Sequence, residues 1–288
     1  MIDQAEGLRR QLDNSKKDIR KAKTISIISG KGGVGKSNFA LNFSIELLKR
    51  KQKVLLFDLD VGMGNIDILL GLDAGQNIID MIDSKLSIYD VIEKGPHDLS
   101  YISGGTGLTE FFMMDRQKRA YFYEQYYKLI NEYDYIIFDM GAGATSESMF
   151  FVLASDECIV ITTPEPTSIT DAYGMIKHIV NNQGNMPIYI VMNRCLSQRH
   201  GTQSLERFQH VISQFLQIEI IKMGIVPEDK TVSTAVIRQI PYVLLNDKSA
   251  VSKVLSQITD RYLMSTKKLN KLRPLSFIQK LTELLKER

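Results

Sequence analysis

The sequence predicts an α/β fold: an open, mostly parallel, twisted sheet with helices on both faces. Three observations predict it. Short runs rich in Ile and Val, bounded by turn residues, recur through the chain. These runs do not alternate apolar with polar residues, as expected of strands covered on both faces. Longer helical patterns lie between them, and strand–helix alternation implies right-handed crossovers joining parallel strands.

The elements follow in order. TISIIS (24–29) reads as the first strand and leads through a glycine-rich turn into a helical pattern over 36–50. VLLFDLD (54–60) and LSYIS (99–103) are the next strands, followed by a helix over 115–132. YIIFDM (135–140), a helix over 145–154, CIVIT (158–162) and a helix over 168–182 continue the alternation. IYIVMN (188–193), a helix over 202–217, IEIIKMGIV (218–226) and a helix over 248–264 complete it. A linker-like stretch around Lys267–Pro274 separates this body from a final segment. The expected organisation is an N-terminal segment (1–23), a nucleotide-binding-size body (24–264), and a linker with a C-terminal helix (265–288).

Several function classes fall away on composition. No run of 18 apolar residues exists, so no transmembrane helix is expected. The start, MIDQAEGLRRQLDNSKK, has no apolar segment of a secretory signal. Cys158 and Cys195 are the only cysteines; they fit a reducing cytoplasm and read as half-buried thiols with no metal-ligand spacing. Charge is unevenly spread. Residues 1–23 carry seven Lys/Arg against four Asp/Glu, and 261–288 carry eight against two. The body between them holds 21 basic and 27 acidic residues. An acidic body with basic ends argues against a broad nucleic-acid surface and puts any attraction to anionic partners at the ends.

Gly30–Ser37 reads GKGGVGKS and fits G-x-x-x-x-G-K-[ST] between a strand and a helix. Gly30, Gly32, Gly33 and Gly35, with Lys31 and Val34 between them, let backbone N–H groups turn inward around phosphate oxygens. The helix N-terminus adds its positive end. Lys36 neutralises the β- and γ-phosphates, and the Ser37 hydroxyl is placed to ligate Mg²⁺. Lys31 sits inside a turn whose backbone already surrounds the phosphates, so it is placed to reach a phosphate of a second molecule. Candidate acids lie at strand C-terminal ends, where ligands bind in open α/β sheets: Asp58 and Asp60 in FDLDVGMGNID, and Asp139 in IIFDMGAG.

The pattern KGGVGKS resembles the deviant phosphate loop of the MinD/ParA ATPases. In that family the first lysine acts across an ATP-sandwich dimer, which implies that Lys31 is a trans-acting lysine, that the protein is a homodimer with ATP, and that its cofactors are ATP and Mg²⁺. Position by position, the resemblance makes Asp60 the residue that orients the attacking water. Asp58 becomes the strand-end acid near the metal, and Asp139 the acid holding Mg²⁺ through water. Gly141 and Gly143 would let the backbone beside the γ-phosphate move. Asn193 and Arg194 of VMNR, and Pro227, Glu228 and Asp229 of GIVPED, match the adenine-binding positions, and Glu165 matches a residue facing the dimer partner. The switch stretch reads D-M-G-A-G where the MinD sequences carry Ser-Pro after the Asp.

The two ends carry the finer resemblance. Phe277, Ile278, Leu281, Leu284 and Leu285 form one apolar face of a basic helix, which reads as a membrane-surface element or as a helix packed on its own domain. MinD-like proteins carry a targeting helix here, implying peripheral association with the inner face of the cell membrane and an anionic membrane surface as partner. Asp3, Gln4, Ala5, Leu8 and Arg9 (D-Q-A-x-x-L-R) resemble the start of the FlhG family, also called FleN or YlxH. That likeness implies control of flagellar placement and number, stimulation of an FlhF-type signal-recognition-particle GTPase, and contact with flagellar C-ring proteins. The competing expectation is a ParA-like ATPase binding nonspecific DNA. An iron–sulfur reductase needs exposed converging cysteines that DMGAGATSES lacks.

Overall fold

The computed structural model describes residues 22–60, 65–73, 75–105, 114–143, 146–182, 186–269 and 276–285. Among the described residues, eight strands form one sheet: β1 (Lys23–Ser29), β2 (Val54–Leu59), β3 (Glu93–Lys94), β4 (Ser100–Ile102), β5 (Tyr135–Ala142), β6 (Glu157–Thr162), β7 (Ile188–Cys195) and β8 (Ile221–Pro227). Their order is β3-β4-β2-β5-β1-β6-β7-β8. Every pairing is parallel except β3 with β4. The central strands β2, β5, β1 and β6 are buried along nearly their whole length, which explains why they do not alternate in sequence.

Helices cover both faces. On one lie α1 (Lys36–Lys49), α2 (Ile66–Leu70), α8 (Lys230–Arg238), α9 (Tyr242–Leu245) and α10 (Ala250–Leu269). On the other lie α3 (Ile78–Ser84), α4 (Arg116–Leu129), α5 (Ser146–Ala154), α6 (Pro166–Asn181), α7 (Gln198–Leu216) and α11 (Phe277–Leu284). Successive strand residues divide between two cores: Leu55, Phe57 and Phe138 enter one, Leu56, Ile137 and Ile159 the other. The strand expectations hold to within a few residues. The two-residue β3 and the short helices α2, α3 and α9 are additions, too brief to show a helical or strand period, and the nine-residue α8 is a further addition. β8 starts three residues later than expected: it lies at the edge of the sheet, and its pairing with β7 begins at Ile221.

Both cysteines are fully buried rather than half-buried. The segment expected to be a separate membrane element also belongs to a core in this structure. α11 buries Phe277, Ile278 and Leu281, and Leu284 and Leu285 pack half-buried beside them. Phe277 lies 5.0 Å from the Phe138 ring, 5.1 Å from Tyr126 and 5.7 Å from Phe151. Ser276 opens α11 with a reciprocal cap to Gln279. Lys280 Nζ donates to the Ser155 carbonyl and to Asp156 Oδ1, each at 3.2 Å. Asp3, Gln4, Ala5, Leu8 and Arg9 lie outside the described residues. Among the described residues, no helix is long and apolar enough to cross a membrane.

Candidate nucleotide site

The site forms where β1, β2 and β5 end at one edge of the sheet. Gly30 follows β1 and runs against the backbone of α6; a Cβ there would stand 2.3 Å from the Asp171 carbonyl carbon. Gly33 and Gly35 adopt left-handed conformations, with φ of 78° and 89°. Gly35 starts α1, and no side chain caps it. The leading N–H groups of a fourteen-residue helix are thus open to an anion.

Lys36 is buried, at 6% exposure, and faces three acceptors. Its Nζ stands 2.5 Å from Asp139 Oδ1, 3.2 Å from Ser37 Oγ and 3.8 Å from Asp60 Oδ2. Asp139 reaches this point because β5 pairs in register with β2 and β1. Burial pushes its carboxyl above the usual range, while Lys36 and Ser37 pull the other way. Among the described residues, Asp139 Oδ2 is buried without a hydrogen-bond partner. That orphaned oxygen beside the Ser37 hydroxyl is a hard-oxygen donor set suited to Mg²⁺, which takes few protein ligands and completes its shell with water and phosphate. The residues present therefore fit the ion.

Asp58 pairs in register with Asp139 and binds the backbone beyond β2. Its Oδ1 accepts from the Asp60 N–H at 3.2 Å, and its Oδ2 accepts from the Asn65 and Ile66 N–H groups at 2.7 and 3.0 Å. Both oxygens accept from backbone N–H groups, so this side chain ties Asp60 to Asn65 and Ile66. Burial, with the charge of Asp139 next, raises its carboxyl to about 7. Asp60 is held between Lys36 and Asn65, whose Nδ2 donates to Asp60 Oδ2 at 3.2 Å. Gly143 donates its N–H to the Ser29 carbonyl at 3.1 Å with φ of 65°; half-buried Gly141 precedes it in β5.

Lys31 turns outward. Its Nζ donates to Thr167 Oγ1 at 3.1 Å and lies 3.5 Å from Glu165 Oε2, all three being exposed. The two residues expected at a dimer face therefore touch each other within one chain here. Asn193 Nδ2 donates to the Val34 carbonyl at 2.8 Å, so it braces the glycine loop. Arg194 is exposed and lies between the Gly33 carbonyl at 3.4 Å and Glu228 at 3.7 Å. Pro227 ends β8. Asp229 is occupied by capping: its two oxygens accept from the Thr231 and Val251 N–H groups at 2.8 and 3.2 Å. Asn65 and Thr167 were not legible as site residues; the only sequence signal was their place beside Asp60 and Glu165.

A parallel sheet with a glycine loop, a buried lysine and an acidic strand end defines a P-loop nucleotide-binding protein. The model of the CobQ/CobB/MinD/ParA nucleotide binding domain matches residues 25–242, and the chain belongs to that family. The antiactivator FleN of Pseudomonas aeruginosa is 29% identical over 215 residues, covering 75% of this chain and 77% of that protein. The flagellum site-determining protein YlxH of Helicobacter pylori is 31% identical over 215 residues, covering 70% and 68%. The Pyrococcus horikoshii septum site-determining protein MinD, complexed with Mg-ADP, superposes with a TM-score of 0.69 at 24% identity, covering 87% and 100%. The matched domain is a nucleotide-binding one, and the Pyrococcus horikoshii protein holds Mg-ADP.

Proposed function

We propose that this protein is an ATP-hydrolysing switch that controls flagellar placement and number, forming a homodimer with ATP and a monomer after hydrolysis. One observation carries the reading: the same loop holds one lysine buried against acids and a second exposed and directed away from them. Lys36 exchanges Asp139 for phosphate oxygens when the substrate enters, which frees the carboxylate end of β5. Ser37 and Asp139 would hold Mg²⁺, which would supply positive charge to offset that building on the phosphoryl oxygens. Asp60 orients the attacking water. Lys31 leaves Glu165 and Thr167 to reach the phosphates of a second copy. Membrane association through α11, stimulation of an FlhF-type GTPase through Asp3–Arg9 and C-ring contact complete the proposal. The flagellar part of the reading is supported by the likeness to FleN and YlxH.

The test is Lys31→Ala, followed by light scattering and nucleotide binding. The variant is expected to bind ATP within about threefold of wild type and to stay monomeric, because the lysine contributes nothing inside its own site. A stable ATP dimer of this variant would sink the trans-acting role.

A further inference from the structure

Asn65 occupies an unusual position. It is the N-cap residue of α2, and an asparagine there ordinarily uses its side chain to accept from its own helix. Here it makes no such bond. The capping task has passed to Asp58, whose Oδ2 accepts from the N–H of Ile66, the first residue of α2. The Asn65 backbone is fixed by the same oxygen at 2.7 Å. Asp58 is itself 1% exposed at the end of β2, so the anchor is the strand. With its own helix served by another residue, the Asn65 amide is turned to Asp60 Oδ2 at 3.2 Å.

We infer that Asn65 is a positioning residue for hydrolysis, acting through Asp60; this rests on the proposed role of Asp60 in orienting water. A side-chain amide suits the task on chemical grounds. It donates to a carboxylate without adding charge, so it fixes the direction of the acid without competing as a second cation beside Lys36. A lysine or arginine in its place would draw Asp60 into an ion pair. An aspartate would set a second carboxylate against it. The link from β2 through Asp58 and Asn65 to Asp60 fixes the acid relative to that buried strand, and well-directed groups of this kind act chiefly on the turnover step.

The experiment is steady-state ATP hydrolysis by the full chain with Mg²⁺, comparing Asn65→Ala, Asn65→Asp, Asp60→Asn and the double variant Asp60→Asn/Asn65→Ala. Asn65→Ala is expected to lower kcat about tenfold or more, with KM for ATP and the melting temperature near wild type. It removes no cap, so a structural loss is not expected. Asn65→Asp should be slower still. In the Asp60→Asn background, Asn65→Ala should change the residual single-turnover rate by less than about twofold. A wild-type kcat for Asn65→Ala, with Asp60→Asn inactive, would overturn the role of Asn65 alone. Full activity of Asp60→Asn would instead remove the reading on which it rests. Equal additive losses in both backgrounds would also overturn it, by placing the effect of Asn65 outside Asp60.

Discussion

Asp58, Asp60 and Asp139 lie within one small region, yet the structure gives them three occupations. Asp139 pairs with Lys36, Asp60 stands between Lys36 and Asn65, and Asp58 holds backbone amides. Their proximity has a pH consequence. Asp58 is raised to about 7 from an ordinary 3.8, first by burial and then by Asp139. A carboxyl raised in the folded state binds its proton more tightly there than in the unfolded chain. Its contribution to stability is then full below about 4 and is lost as pH rises through about 7. Thermal unfolding of the nucleotide-free protein should therefore show a larger fall in melting temperature from pH 5.5 to pH 8 for wild type than for Asp58→Asn. Parallel curves would contradict the raised carboxyl. The existence of these acids was legible, since each ends an apolar run. Their separate uses were not: Asp139 is matched to Lys36, 103 residues away, and Asp58 to backbone N–H groups, which no side-chain pattern in the sequence marks.

Among the elements, the regular ones were the most legible. The alternation of apolar runs and helical patterns located the long strands and helices, because burial on both sheet faces imposes it. α11 was legible as a helix but ambiguous in destination, for a physical reason: an apolar face suits a lipid surface and a protein core equally well. The structure seats that face on Tyr126, Phe138 and Phe151, with Lys280 fastening the helix to Ser155 and Asp156. Phe138 immediately precedes Asp139, and α5, which carries Phe151, follows Gly143 in the chain. The seat of α11 is thus built from the elements that flank the nucleotide site. Truncating a buried Phe costs about 3–5 kcal/mol in a core. α11 is an end element joined to the body through residues 270–275, so the loss should appear as local undocking rather than global unfolding. Phe277→Ala is expected to speed amide exchange across 276–285 at least about tenfold while leaving protection in β1, β5 and β6 within about twofold. Unchanged protection of α11 would show that the aromatic cluster is not what seats it.

For the molecule as a whole, the apolar face of α11 cannot lie in the core and in a bilayer at once. Membrane attachment therefore requires its release, and any release linked to nucleotide makes attachment a readout of the ATP state. A single short helix binds a membrane weakly, whereas two displayed on one dimer act at a high effective concentration and bind far more tightly. The charge pattern points the same way: the excess of basic residues in 261–288 lies outside a body in which acids outnumber bases. Asp60→Ala should hold the ATP state by blocking turnover, and this variant should co-sediment with anionic liposomes with ATP but not with ADP. Equal binding with both nucleotides would make α11 a constitutive anchor and move the switch elsewhere. Absence of binding with either would leave α11 as a permanent part of the core. Salt separates the two contributions in the positive case: raising ionic strength should weaken the basic component and leave the apolar one, so binding should fall without vanishing as the Debye length shrinks from about 10 Å to about 3 Å.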